Sequence, residues 1–172
     1  MNNKNFISLK FYVLIITDTR NLRSDKSGKI LEDRIIKAGH KMLEKVFIKD
    51  NEKEIYNYLK KIINTTKSDV IILTGGTGLT GRDSTPEAVK KIFDKEIPGF
   101  GEIFRYLSFK KIGTSSLQSR ATAGLAKNKF VFALPGSPNA CKDAWDQILK
   151  FQLDSRTKPC NLVELIPRLG EK

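Results

Sequence analysis

Histidine is almost absent from this chain. His40 stands alone among 172 residues, which excludes a His-rich metal centre and makes a Ser-His-Asp triad a poor explanation of any activity. Its neighbours Gly39 and Lys41 read as a helix end. Cysteine is nearly as scarce: Cys141 and Cys160 lack metal-ligand spacing, so neither a disulfide framework nor a zinc site is expected. Long apolar runs are missing too. The longest early one, residues 11–16, is much too short to span a bilayer, and the polar, basic residues 1–10 carry no signal-peptide core. The expectation is a cytoplasmic protein with no membrane partner. Acidic residues are outnumbered, with 31 Lys and Arg against 19 Asp and Glu and a net charge of +12, so an anionic partner has to be considered. The basic residues are scattered, however, as at Lys37, Lys41, Lys45, Lys49 and Lys53, with no dense run and no interleaved aromatics. That pattern describes a solvated surface rather than a nucleic-acid interface, and it leaves room for a small anion in one cleft.

What the chain does contain is alternation. The length fits one domain over residues 1–172, and 40% hydrophobic with 29% charged residues describes a globular core rather than disorder. Residues 11–16 are apolar on both faces, as in a strand covered from both sides. Further strands are read at 42–48, 70–73 and 130–134. Between them, Ile30, Leu31, Ile35 and Ala38, then Ile55, Leu59 and Ile62, then Val89, Ile92 and Phe93, recur at helical spacing. Asn51 and Glu54 have the spacing of a capping box. Residues 98–124 show no clear strand character and read as a helical insert around Phe104, Tyr106 and Leu107. A last helix carries Cys141, Ala144, Trp145, Ile148 and Gln152 along one side, and a tail with Pro159 and Pro167 closes the chain. The order predicts a three-layer α/β/α sandwich around a mostly parallel central sheet.

The chemistry concentrates where strands end. Ile71-Ile72-Leu73-Thr74-Gly75-Gly76-Thr77-Gly78-Leu79-Thr80-Gly81-Arg82-Asp83-Ser84-Thr85-Pro86 runs from a buried strand through glycines into a helix start. Glycines let backbone N–H groups approach a phosphate, and the helix N-terminus favours negative charge. The plainer reading is a tight strand-to-helix turn. Gly76 to Gly81 matches G-x-G-x-x-G, but Pro86 places the helix start later than a dinucleotide motif requires, and no acidic residue stands at the end of the next strand. A P-loop is excluded because no Gly-Lys-Ser/Thr follows. A second turn, Pro135-Gly136-Ser137-Pro138-Asn139, offers a cap at Ser137 and a helix start at Pro138. If the strands are parallel neighbours, these turns converge with residues 17–28 and 49–50 on one crevice. Asp50 and Asp83 sit at helix starts, where an acid is ordinarily structural, so composition and spacing do not assign them.

The stretch from Thr74 to Ala88 resembles the signature of the MoaB/MogA molybdopterin-binding proteins. Residues 135–139 are similar to that family's Pro-Gly-Asn-Pro motif, with Ser137 in place of Asn. Asp25-Lys26-Ser27-Gly28 resembles its Asp-x-Ser-Gly element and Ser119-Arg120-Ala121 its Ser-Arg-Ala element. Residues 99–105 and 113–120 look more like MoaB than MogA. The resemblance implies a molybdopterin adenylyltransferase that transfers AMP from ATP, in which Asp50 and Asp83 are catalytic and position Mg2+. It further implies nucleotide contacts at Gly75, Gly76, Thr77, Gly78, Pro135, Gly136, Ser137, Pro138 and Asn139. Substrate contacts would fall at Asp25, Ser27, Gly28, Arg82, Ser119 and Arg120, the last two at the pterin phosphate. A non-catalytic molybdopterin carrier with the same pocket is the second reading it admits, and a homotrimer or a dimer of trimers is the assembly it implies. One departure is Gly81, where active family members usually carry Pro, and it predicts a looser loop.

Overall fold

The computed structural model describes residues 5–19 and 23–171, so part of the 17–28 turn lies outside the described residues. Its centre is β3 (Val70–Thr74), in which every side chain is buried. β1 (Lys10–Ile16) and β6 (Lys129–Leu134) flank it, both in parallel register, and β2 (Lys41–Ile48) adds parallel to β1 at the edge. The other side is finished antiparallel by β5 (Thr122–Ala126) and a short β4 (Lys95–Glu96), giving the order β2-β1-β3-β6-β5-β4.

The continuous apolar runs of β1, β3 and β6 serve two cores at once, because alternate side chains face opposite sides of the sheet. Phe11, Val13, Ile15, Val70, Ile72, Phe130 and Phe132 pack on one face with α1 (Lys26–Lys37), α4 (Pro98–Ile112) and α5 (Pro138–Ala144). Tyr12, Leu14, Ile16, Ile71, Leu73, Val131 and Ala133 pack on the other with α2 (Glu52–Thr65) and α3 (Thr85–Lys90). The result is the expected three-layer α/β/α sandwich. α5 runs on through a π-helical stretch, Trp145–Leu149, into α6 (Lys150–Gln152), which keeps Cys141, Ala144, Trp145 and Ile148 in the core. No helix among the described residues is long and apolar enough to cross a membrane.

The sequence reading departs from the structure at two places. The stretch read as an insert without strands contains α4, a 3-10 segment (Gly113–Gln118) and then β5, whose Thr-Ala-Gly-Leu-Ala lacks the β-branched run of the central strands. β5 pairs with β6 across Lys127 and Asn128, both at positive φ, as a tight hairpin turn requires. α3 stops at Lys90, short of Ile92 and Phe93, and the Phe93 ring lies over Gly124, where a Cβ would meet it at 2.6 Å or less.

His40 ends α1 as its neighbours predict. Gly39 is at φ +88°, its N–H donates to the Ile36 carbonyl, and the His40 N–H donates to that of Ile35, a Schellman closure. The imidazole is buried among Phe6, Phe11 and Trp145; Nδ1 accepts from the Leu9 N–H at 3.2 Å, and Nε2 has no hydrogen-bond partner among the described residues. Burial holds its pKa below the ordinary 6.5, against the opposing charge of Asp154. Because the unfolded chain takes up that proton more readily, the stability due to neutral His40 is present above about pH 6.5 and is lost as the pH falls toward the lower folded value. Thermal melts from pH 7 to about pH 5 should therefore show a decline that His40→Gln flattens; equal slopes for both proteins would contradict this.

Candidate functional site

The carboxyl ends of β1, β2, β3 and β6 open on one cleft of about 620 Å³. Its floor is the glycine turn, and its shape follows from a few close approaches. The Gly75 N–H donates to the Leu134 carbonyl at 3.0 Å, stitching the turn to the end of β6, and Gly75 is at φ +112°. Thr85, fully buried, donates its hydroxyl to the Gly75 carbonyl at 2.8 Å and its N–H to that of Gly76 at 3.0 Å, tying the turn to the start of α3. Thr74 reaches across to the Pro135 carbonyl at 2.9 Å, so both turns are held in one frame.

Asp50 and Asp83, distant in sequence, arrive at two glycines of one turn, Gly76 and Gly78. A Cβ at position 76 would lie 2.6 and 2.7 Å from the two Asp50 carboxylate oxygens, and one at 78 would lie 2.7 Å from Asp83 Oδ2. Both glycines thus leave room for carboxylates lying against the backbone. Asp50 Oδ1 accepts from the Ser84 N–H at 3.3 Å and from its hydroxyl at 3.1 Å. Ser84 therefore makes no side-chain cap on its own helix; its hydroxyl is used to aim Asp50. Asp83 Oδ2 accepts from the Thr80 N–H at 2.9 Å and hydroxyl at 2.6 Å. The turn around Gly81 is tied by those bonds and by the Asp83 N–H on the Thr80 carbonyl at 3.0 Å, and the Gly81 Cβ position has nothing within 4 Å.

The two carboxylates differ electrostatically. Burial raises the Asp50 pKa and the neighbouring charges of Asp83 and Asp18 add to it, against the two Ser84 bonds. The Thr80 hydroxyl holds Asp83 below the usual carboxylate range, with the Arg120 charge contributing. An ionised Asp50 is accordingly costly to the free protein. Asp50→Asn keeps an acceptor for Ser84 and should leave the melting temperature equal or raise it by about 1–3 °C. A clear drop in melting temperature would mean that Asp50 is there to hold the fold.

Not every residue singled out in the sequence faces the cleft. Gly75, Gly76, Thr77, Gly78, Arg82, Ser119, Pro135, Gly136 and Ser137 line it along with the two aspartates, whereas Pro138 and Asn139 do not. Ser137 caps α5, accepting from the Ala140 N–H at 3.2 Å. Asp25 caps α1 through the Gly28 N–H at 2.8 Å and lies 3.8 Å from the Lys45 ammonium; Gly28 has no room for a side chain beside it. Ser27 donates to the Gly136 carbonyl at 2.7 Å. This element braces the second turn from behind and lies outside the lining.

Other lining groups were not singled out in the sequence, beyond the place of Asp18 in the 17–28 turn. Asp18 pairs with Arg82 at 2.5 Å across the mouth. Phe104, Ser108 and Ile112 of α4, with Ser115, Ser116 and Gln118 of the 3-10 segment, form the far wall. Serines without a repeating pattern give a sequence reader nothing to assign. Among the described residues no group of three or more His, Cys, Asp or Glu is placed to hold a metal ion. The Asp50 and Asp83 pair instead suits a magnesium ion that takes its remaining ligands from phosphate oxygens and water.

Fold and site together define an α/β/α protein with an open cleft at the carboxyl ends of its parallel strands, the MoaB/MogA molybdopterin-binding fold. Residues 12–155 match a family model described as a probable molybdopterin binding domain. The chain is 46% identical over 156 residues to molybdenum cofactor biosynthesis protein B of Escherichia coli K12, covering 91% of this chain and 92% of that protein. The crystal structure of a molybdenum cofactor biosynthesis protein B superposes with a TM-score of 0.84 at 37% identity, over 87% of this chain and 94% of that one. The tungsten cofactor synthesizing protein MoaB from Pyrococcus furiosus gives 0.73 at 36%, over 83% and 91%. This chain belongs to the MoaB family.

Proposed function

We propose that this protein acts in molybdenum cofactor biosynthesis as a molybdopterin adenylyltransferase. The observation that carries the reading is the meeting of Asp50 and Asp83 on Gly76 and Gly78 of the turn that floors the cleft, in a chain of this family. In the reaction a terminal phosphate oxygen of molybdopterin attacks the α-phosphorus of ATP. The bond to the bridging oxygen breaks, and pyrophosphate departs with the electron pair, leaving AMP on the pterin.

Such in-line transfer depends on alignment and charge neutralisation more than on a protein nucleophile. The cleft residues suit those tasks. The open 75–78 turn would lie against the nucleotide phosphates, and the 135–137 turn would border the adenosine. Arg82 would exchange Asp18 for a phosphate oxygen. The hydroxyls of Ser108, Ser115, Ser116 and Ser119 would face the pterin and its phosphate. Asp50 and Asp83 would hold magnesium, which when bound offsets the charge of the triphosphate and the leaving pyrophosphate. The trimer, or pair of trimers, is part of the same reading.

The carrier alternative uses the same cleft without turnover. Purified protein given molybdopterin, ATP and magnesium separates the two, since a transferase yields the adenylylated pterin and a carrier returns molybdopterin unchanged.

A further inference from the structure

Arg120 is placed by family resemblance at the pterin phosphate, yet its guanidinium points elsewhere. It follows the 3-10 segment of the far wall and precedes β5. Its backbone N–H donates to the Thr77 carbonyl at 3.1 Å. Nε donates to the Gly78 carbonyl at 2.6 Å, Nη2 donates to the Asp83 carbonyl at 2.7 Å, and Nη1 pairs with Glu87 on α3. The side chain is about three-quarters buried, at 28% exposure. It does not line the catalytic cleft; it lines a separate hollow behind the turn, with Glu87, Lys90 and Arg105.

We infer that Arg120 is a positioning residue, a strut that fixes the glycine turn from behind and couples it to the serine wall, rather than a ligand of the pterin phosphate. The inference rests on the adenylyltransferase reading for its catalytic consequence only. One planar guanidinium spans both carbonyls that bracket residues 78–83, the segment carrying Thr80, Arg82 and Asp83, and Glu87 holds that plane in place. The same residue continues directly from Ser119, Gln118 and Ser116 on the opposite wall. Arg120 therefore sets both the shape of the turn and the separation of the walls. A lysine cannot replace it, because a point-like ammonium does not span two carbonyls in one plane.

The test uses amide hydrogen exchange on the ligand-free protein together with molybdopterin binding. Arg120→Gln and Arg120→Lys should speed exchange at the Thr80, Asp83 and Ser84 N–H groups by about tenfold or more, with the β3 amides of residues 70–74 unchanged. Equilibrium binding of molybdopterin should change by less than about threefold, while kcat falls by about tenfold or more. Wild-type exchange in the turn together with molybdopterin binding weakened about tenfold would overturn the proposal and return Arg120 to the phosphate. If Arg120→Gln fails to fold, Arg120→Lys supplies both readouts. If the wild-type protein shows no turnover, the adenylyltransferase reading fails alone, since exchange and binding still decide the role of Arg120.

Discussion

Asp83→Asn is expected to reduce formation of adenylylated molybdopterin by about 10²-fold or more, with the melting temperature held within about 2 °C. The exchange is nearly isosteric, and the amide oxygen still accepts from the Thr80 N–H and hydroxyl that now fix the carboxylate. What disappears is the negative charge beside Gly78, which the Thr80 bonds keep ionised well into acid. If that charge holds magnesium against the triphosphate, the residual activity should need a higher magnesium concentration for half-saturation than the wild type. Unchanged adenylylation at ordinary magnesium would remove Asp83 from the chemistry. A large drop in melting temperature would instead make Asp83 chiefly a brace for the 80–83 turn.

Gly75→Ala should cost the most stability of any single change in the turn, about 3 kcal/mol or more, or roughly 10 °C in melting temperature. Two penalties coincide there. At φ +112° an L side chain is strained whatever surrounds it, and its Cβ would land on the Ile16 carbonyl oxygen, far inside van der Waals contact. The obstacle is backbone of the neighbouring strand β1, so no rotamer change relieves it. Gly81→Ala is the control, with open space at its Cβ position, and should fall within about 0.5 kcal/mol of the wild type. Equal melting temperatures for the two variants would show that the turn at Gly75 has another conformation open to it.

These contrasts show which physical signals a sequence carries. β1, β3 and β6 were legible because strands buried on both faces must be apolar at every position. β5 was not, because its place next to the short β4 is met by small residues that resemble a loop. The glycine turn and the helix start at Pro86 were legible through backbone constraints that only a few residue types satisfy. The meeting of Asp50 and Asp83 was legible only conditionally, on the strands being parallel neighbours, which the pairing of β2, β1 and β3 supplies. The use of Ser84 was not, since a Ser just ahead of a helix start reads as a cap and its hydroxyl instead reaches Asp50. Asp25, Ser27 and Gly28 stand out in the sequence as a motif, and the structure gives them a bracing position behind the second turn. The far wall, with Ser108, Ser115 and Ser116, arises from α4 and the 3-10 segment folding over the sheet, which no local pattern encodes.

The most direct measurement is a product assay in which the wild-type protein is incubated with molybdopterin, ATP and magnesium, following pterin and pyrophosphate together. Adenylylated molybdopterin and pyrophosphate should appear in equal amounts, over many turnovers and only with magnesium present. Molybdopterin bound in the cleft but recovered unmodified, with no pyrophosphate released at high protein concentration, would contradict it.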